Sequence, residues 1–249
     1  MAEELHIEAL AIGLELIQIS NQEYTPYWTT LIKNIRNGGY SGLLTYSSIF
    51  YPIETPQIGF WDTLDFIGMD FYLPLLNITN DSSIPSYQDM VESFSGYFQY
   101  FKLWLSNQSS NVSSKPVIFT EVGYPSSLAG LAMPSSTPPA QCIGNYSANF
   151  TLQNMAFKAF FQALHENSGI FNGTIIFWWD NPSSSDSYNE RDSNNWGCSW
   201  TVRGKPAEYT VAEAFGGQYS SDQSSPSNIS NITSMSIKLF LCIILLFAL

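Results

Sequence analysis

Two glutamates stand at the ends of short apolar segments, where a parallel α/β fold collects its functional groups. Glu15 follows the apolar residues 9–14, and Glu121 follows residues 117–120. The carboxyl ends of parallel strands share one mouth, so side chains at those ends can act on a common ligand. A single glutamate there is more often a cap or an ion-pair partner. Two of them can supply the general acid and the carboxylate nucleophile of retaining glycoside hydrolysis.

Aromatic residues near the ends of the same segments can bind sugars, because apolar sugar faces pack on aromatic rings. One tyrosine ends the segment 64–72, another follows Glu121 by three residues, and two adjacent tryptophans end the segment 173–179. Successive strand residues face opposite sides, so one of these tryptophans must point outward. The aspartate after them can bind a sugar hydroxyl. The predicted substrate-binding residues are Tyr72, Tyr124, Trp178, Trp179 and Asp180.

Short apolar segments alternate with longer amphipathic ones, which is typical of a parallel α/β fold. The predicted strands cover residues 6–16, 42–46, 64–72, 116–121 and 173–179. The predicted helices cover residues 24–36, 85–105, 150–165 and 206–215. The helix 85–105 carries an aromatic stripe that we assign to the core rather than to a ligand platform. No feature marks a second domain, so residues 1–217 are predicted to form one domain.

The charge balance excludes a nucleic-acid-binding role. Lys and Arg total 9 against 21 Asp and Glu, a formal net charge of −12, whereas nucleic acid requires a basic surface. Charged residues make up only 12% of the chain, against about 25% in typical domains, and Ser and Asn take their place. Two histidines and three cysteines leave little for a metal site. We therefore expect no metal and no cofactor.

Nine Asn-x-Ser/Thr sequons indicate a glycosylated, secreted protein, because attached sugars solvate a surface that carries few charges. A chain rich in Ser and Asn also produces sequons by composition alone. Cys142 and Cys198 either form a disulfide or are two unrelated thiols, and Cys242 lies near the C-terminus. The candidate glycosylation sites within the predicted domain are Asn77, Asn80, Asn107, Asn111, Asn145, Asn149 and Asn172.

The C-terminal residues have the pattern of a glycolipid anchor signal. Residues 218–236 form a Ser/Asn-rich linker, and residues 237–249 form an apolar tail shorter than the ~20 residues of a membrane span. A short tail helix packed on the domain is the alternative. The acidic N-terminus, Met-Ala-Glu-Glu, lacks the pattern of a signal peptide. We expect a cell-surface protein held to the membrane by a C-terminal lipid anchor, its signal peptide lost with an N-terminal portion.

Five blocks of sequence carry a family resemblance over about residues 7–215. They are IGLELIQIS, TPYWTTLIKNIR followed by GLLTYSS, FWDTLDFIGMDFYLPL, KPVIFTEVGYPS, and GTIIFWWDNP with GKPAEY. In this order they resemble the β-mannanase-like proteins of glycoside hydrolase family 113, which belong to a retaining clan with (β/α)8 barrels. The resemblance implies that Glu15 is the acid/base, at the end of barrel strand four, and Glu121 the nucleophile, at the end of strand seven. Tyr72 would end strand six, and a strand-eight tryptophan would form the floor of the cleavage subsite.

The same resemblance implies an incomplete barrel. If the first predicted strand is barrel strand four, then strands one to three and their helices have no counterpart here. The expected fold class is α/β, a partial (β/α)8 TIM barrel of strands four to eight, open where three strands are missing. A second departure is Leu14, which stands where this clan normally places a polar residue before the acid/base.

Two functions from different classes fit these residues. The first is a retaining glycoside hydrolase that cuts a β-linked polysaccharide such as β-mannan, with activity that depends on the missing strands. The second is a non-catalytic carbohydrate-binding or structural remnant of such a barrel at the cell surface. Leu14 and the missing strands favour the second function, and retention of Glu15 and Glu121 favours the first. Linkage, mode of attack and oligomeric state stay open.

Overall fold

The computed structural model describes residues 3, 6–76, 84–136, 148–178 and 198–217. Several of the sequence predictions concern residues outside these ranges. They are Trp179, Asp180, Cys142, Asn77, Asn80, Asn145, the linker 218–236 and the tail 237–249.

Five parallel strands form one sheet, and their order in space follows their order in the chain. They are β1 (Ala9–Leu14), β2 (Leu43–Ile49), β3 (Ile67–Phe71), β4 (Val117–Val122) and β5 (Phe171–Ile176). Each strand predicted from the sequence is present, with shifted ends. β1 stops before Glu15 because the φ of Glu15 is 49°, which lies outside the extended region.

The described residues form seven α-helices. They are α1 (Ile17–Ser20), α2 (Thr25–Asn37), α3 (Tyr87–Ser106), α4 (Ser110–Ser113), α5 (Leu128–Ala132), α6 (Phe150–Glu166) and α7 (Pro206–Ala214). The four long helices were predicted. The short helices α1, α4 and α5 were not, because a single helical turn is too short to show a 3.6-residue period.

Local sequence explains the longest helix, α3. The Ser86 hydroxyl accepts a hydrogen bond from the Asp89 N–H at 3.2 Å, and the Asp89 carboxylate accepts one from the Ser86 N–H at 2.8 Å. Phe98 of this helix then packs on Phe119 of β4 and Phe171 of β5, with ring centroids 5.6 and 4.4 Å apart. Met90, Phe94 and Phe101 of the predicted stripe are buried, and Tyr97 and Trp104 pack against the same core, so the stripe belongs to the core, as predicted.

The two faces of the sheet carry different side chains, because successive strand residues alternate between faces. One face is built from large apolar side chains that are buried in the core, namely Leu44, Tyr46, Ile67, Met69, Phe71, Phe119 and Phe171. The other face carries mostly small or polar side chains. It lines a cavity bounded by Ala9, Ala11, Thr45, Phe66, Ile118, Thr120 and Ile175.

The described chain is an α/β fold with a parallel five-stranded sheet, which is consistent with part of a TIM barrel. Among the described strands, β1 and β5 each pair with one neighbour only. Over the same ranges, no helix has the length and apolar character needed to cross a bilayer.

Candidate active site

Three carboxyl side chains lie toward the C-terminal end of the sheet. Glu15 directly follows β1, Asp70 is the fourth residue of β3, and Glu121 is the fifth residue of β4. Asp70 and Glu121 are register partners on neighbouring strands. The charge of Glu121 contributes to raising the pKa of both Glu15 and Asp70. The fold thus brings the two predicted catalytic glutamates into one electrostatic neighbourhood, together with an aspartate that the sequence analysis missed.

Glu15 adopts a backbone conformation that non-glycine residues rarely take. Its φ of 49° lies in a sparsely populated region, which costs on the order of 1–3 kcal/mol and persists only where the surroundings hold it. The Glu15 N–H donates to the Ser47 carbonyl at 2.9 Å, and the Leu16 N–H donates to the Tyr46 hydroxyl oxygen at 2.6 Å. Both bonds fasten the segment after β1 to β2, so β2 holds the turn that carries the Glu15 side chain.

A buried glutamate, Glu54, supports this turn from behind. Its Oε1 accepts hydrogen bonds from the Tyr46 hydroxyl at 2.7 Å and from the Ser20 hydroxyl at 2.5 Å. Its Oε2 accepts one from the Ile49 N–H at 2.8 Å. A fully buried carboxylate needs such donors to offset its lost hydration. Glu54 was not predicted as a site residue because it ends no predicted strand.

Glu121 is partly buried and is held by a tyrosine. The Tyr72 hydroxyl donates to Glu121 Oε2 at 2.6 Å. Tyr72 directly follows β3, so the parallel pairing of β3 with β4 brings the two side chains together. Of the predicted aromatic platforms, Tyr72 is therefore in direct contact with the predicted nucleophile.

Partial burial raises the pKa of both glutamates, but their neighbours act in opposite directions. At Glu15, which is exposed on one side, the charges of Glu121 and Glu54 raise the pKa further. At Glu121, the hydrogen bond from Tyr72 lowers the pKa and offsets part of the effect of burial. The pKa of both glutamates is raised, but the neighbours of Glu15 favour its protonation, whereas the neighbour of Glu121 favours its ionisation. An acid and a nucleophile need this division.

An aromatic cluster of Tyr72, Phe177, Trp178 and Trp200 lies beside Glu121. The Phe177 ring is 5.8 Å from Tyr72 and 5.5 Å from both Trp178 and Trp200, measured between ring centroids. Trp178, one of the predicted substrate-binding residues, is 52% exposed, so its ring is accessible to a ligand. Trp200 was not predicted, because residues 180–205 have the composition of a polar loop.

Gly123 allows this cluster to close over the end of β4. A Cβ at position 123 would lie 2.5 Å from the Phe177 carbonyl oxygen and 2.9 Å from the Trp200 ring. Real Cβ atoms do not approach a carbonyl oxygen so closely. Only glycine therefore fits two residues after Glu121 without moving the cluster.

Tyr124 does not lie at the site, contrary to the prediction that it forms a sugar platform. Its side chain is fully buried, and its hydroxyl donates to the Leu73 carbonyl at 3.0 Å. Its ring packs on Phe94 of α3 and Phe157 of α6. The chain leaves the sheet after β4, so the alternation that holds within a strand no longer fixes the direction of this side chain.

The remaining predicted residues lie away from the glutamates or outside the described ranges. Cys198 is disulfide-bonded, and both other cysteines of the sequence lie outside those ranges. Among the described sequon residues, Asn107, Asn111 and Asn172 are exposed, whereas Asn149 is partly buried and caps α6. In the part of the chain that the structure describes, no group of three or more His, Cys, Asp or Glu is arranged to hold a metal ion.

Sequence comparison points to one family. The sequence model of Glycoside Hydrolase Family 113 matches residues 1–205. No curated protein matches the chain.

Solved glycoside hydrolases share the fold. A GH113 β-1,4-mannanase superposes with a TM-score of 0.63 at 20% identity, over 87% of this chain and 58% of its own. The GH113 β-mannanase of Alicyclobacillus acidocaldarius, in complex with ManMIm, superposes with a TM-score of 0.61 at 23% identity. The match covers 86% of this chain and 57% of the mannanase. A GH2 β-galacturonidase of Eisenbergiella tayi, bound to galacturonate, superposes with a TM-score of 0.53 at 16% identity. The match covers 83% of this chain and 33% of the β-galacturonidase. This chain therefore spans less than two thirds of the length of each of these proteins.

Proposed function

This chain belongs to glycoside hydrolase family 113, and we propose that it hydrolyses β-mannan by a retaining mechanism. The main support is the Glu121 carboxylate, held by the Tyr72 hydroxyl at 2.6 Å within electrostatic reach of Glu15. The substrate class is taken from the family and from the β-mannanases that share its fold.

The two glutamates would divide the reaction between them. Glu15 donates its proton to the glycosidic oxygen as Glu121 attacks the anomeric carbon, and a covalent glycosyl-enzyme ester forms. Glu15, now ionised, removes a proton from water, and that water attacks the anomeric carbon and releases Glu121 as a carboxylate. In the first step the glycosidic C–O bond breaks and the leaving sugar keeps the proton from Glu15. In the second step the proton taken from water stays on Glu15, so the enzyme is restored.

The aromatic cluster would hold the sugar next to Glu121. Trp178 follows the last strand and keeps about half of its surface exposed, so its ring can pack on the apolar face of a mannose unit. The Tyr72 hydroxyl donates a hydrogen bond to the Glu121 carboxylate. A mannosyl ring on Trp178 would thus lie within the neighbourhood of both groups.

The experiment is an assay of released reducing ends from β-mannan with the parent chain and three variants. Glu15→Gln is expected to lower kcat by about 10²–10⁴-fold, the range for loss of an essential acid or base. Glu121→Ala is expected to lower it at least as much, because the glycosyl-enzyme ester can no longer form. Glu92→Ala, at an exposed position of α3, is the matched control and should keep parental activity. Equal activity of Glu121→Ala and parent would overturn the assignment of the nucleophile. Products that first appear as the α anomer would overturn the retaining mechanism.

The second candidate function is carbohydrate binding without catalysis. One observation favours it: Leu14 precedes Glu15 where the clan places a polar residue. If the five strands correspond to barrel strands four to eight, full activity requires strands one to three. Calorimetry with manno-oligosaccharides separates the two functions. Binding without hydrolysis, unchanged in Glu121→Ala, supports the non-catalytic function, and hydrolysis contradicts it.

We also propose that the protein is a secreted glycoprotein at the cell surface. Cys198 is disulfide-bonded, and such bonds persist mainly in oxidising compartments. The sequon residues Asn107 and Asn111 are exposed and accessible to glycosylation. Endoglycosidase treatment of the protein from its native source should increase its electrophoretic mobility. No change on treatment would contradict the proposal.

A further inference from the structure

Asp70, on β3, is buried beside Glu121 with only hydroxyl groups as hydrogen-bond partners among the described residues. It is 1% exposed, and its Oδ1 lies 2.7 Å from both the Ser47 and the Thr120 hydroxyl oxygens. Those two hydroxyls also contact each other. Within the described chain, Oδ2 of Asp70 has no hydrogen-bond partner.

The number of hydrogens available to the Asp70, Ser47 and Thr120 oxygens indicates whether Asp70 is protonated. Three short oxygen–oxygen contacts need three hydrogens, and the Ser47 and Thr120 hydroxyls carry one each. The third can come from a protonated Asp70, which donates from Oδ1 to Ser47, while Ser47 donates to Thr120 and Thr120 donates back to Oδ1. An ionised Asp70 would leave one contact without a hydrogen. It would also leave a charged Oδ2 buried without a donor, which is costly.

The charges around Asp70 act in the same direction. The titratable groups that affect it are Glu121 on β4 and Glu15 after β1, both acidic, and no lysine or arginine among the described residues contributes. Tyr72, which follows β3, also faces this group of carboxyls. Burial and the charge of Glu121 raise the pKa of Asp70 to about 8, although its bonds from Thr120 and Ser47 lower it.

We propose that Asp70 keeps its proton while Glu121 reacts as a carboxylate, and that Asp70 is a positioning residue for Glu121. Thr120 directly precedes Glu121, so the ring of hydrogen bonds anchors β4 at the residue before the nucleophile. When Asp70 is neutral, Glu121 has no second negative charge beside it. Such a charge would favour protonation of Glu121. The positioning role of Asp70 rests on the function proposed above, whereas the protonation of Asp70 does not.

The proton is tested by carbon-13 NMR on the full chain labelled at the aspartate carboxyl carbons. The Asp70 signal is assigned as the one missing from the spectrum of Asp70→Asn. We expect it to titrate with a midpoint of about 8. Titration near pH 4, the ordinary value for aspartate of about 3.9, would overturn the proposal. If Asp70→Asn does not fold, Ser47→Ala serves for the assignment, because the signal that shifts most is that of Asp70.

The positioning role is tested by pH profiles of kcat and KM on β-mannan. Asp70→Asn is neutral at every pH, so it should keep most of the activity at about pH 6 and lose less of it above about pH 8 than the parent does. Asp62→Asn, the same change at an exposed site, should leave the profile unchanged. A folded Asp70→Asn that loses more than about a hundredfold in kcat at pH 6 would show that the charge is required and overturn the role. A parent inactive on β-mannan would contradict the proposed function alone, since the NMR titration still decides on the proton.

Discussion

Tyr72 donates a hydrogen bond of 2.6 Å to Glu121. Tyr72 directly follows β3, and Glu121 lies on the adjacent parallel strand β4. Burial, followed by the charge of Glu121, raises the pKa of Tyr72 far above its ordinary value, so the hydroxyl stays a donor over the whole working range of pH. The bond orients one oxygen of the carboxylate and favours its ionised form. It is the clearest structural difference between the two glutamates.

Tyr72→Phe removes this bond while keeping the ring. The pKa of Glu121 should rise, so the acidic limb of the kcat/KM profile should move to higher pH. Hydrogen bonds to charged groups contribute about 1.5–3 kcal/mol, which corresponds to roughly 10- to 100-fold in activity. Tyr97→Phe, on α3, is the control. An unchanged acidic limb in Tyr72→Phe would contradict this role of Tyr72.

Glu54→Gln tests the support behind Glu15. The charge of Glu54 contributes to the raised pKa of Glu15, so the variant should lower that pKa and move the alkaline limb of the profile to lower pH. It also weakens three hydrogen bonds of a buried group, and unfolding should become easier by about 1–3 kcal/mol. Chemical denaturation and pH profiles measure the two effects. Glu23→Gln, at an exposed site, should show neither of them.

Two glycine substitutions should have opposite effects on stability. Gly123→Ala places a Cβ 2.5 Å from the Phe177 carbonyl oxygen, and the strain should cost about 1–3 kcal/mol and disturb the aromatic cluster. Gly96→Ala lies in α3 with no atom within 4 Å of the added Cβ, and should stabilise the helix by roughly 0.5–1 kcal/mol. Urea denaturation measures both. Equal stability of the two variants would show that the end of β4 is not closely packed.

The buried Asp70 should make stability depend on pH. Its pKa is raised to about 8 when folded, against about 3.9 when unfolded. The folded state therefore holds a proton that the unfolded state releases, so this contribution is complete below about pH 4 and is lost as pH rises toward 8, by up to ~1.4 kcal/mol per pH unit. The slope should be clearly smaller in Asp70→Asn, measured by denaturation between pH 4 and 9, because Glu15 and Glu121 still contribute to it. An equal slope in both proteins would assign it to other groups.

Strand positions and the two glutamates were predictable because they depend on local patterns. β4 is a short run of β-branched and aromatic residues, and Glu121 lies near its end. The α3 stripe follows from its period. Tyr124 was assigned to the wrong place because it lies just outside a strand, where no period fixes the direction of a side chain. Glu54 and Trp200 lie in irregular segments and carry no sequence pattern that marks them.

The sequence by itself determined the parallel α/β class, the apolar faces of the long helices and the presence of Glu15 and Glu121 near strand ends, because these follow from periodicity and residue chemistry. The tertiary structure decided which side chains meet. Strand register places Tyr72 and Asp70 next to Glu121, and the segment after β2 brings Glu54 to Tyr46 behind Glu15. The Tyr72–Glu121 hydrogen bond joins residues 49 positions apart, and the Ser47–Thr120 contact joins residues 73 positions apart. The resulting hydrogen bonds and desolvation set the ionisation of each carboxyl.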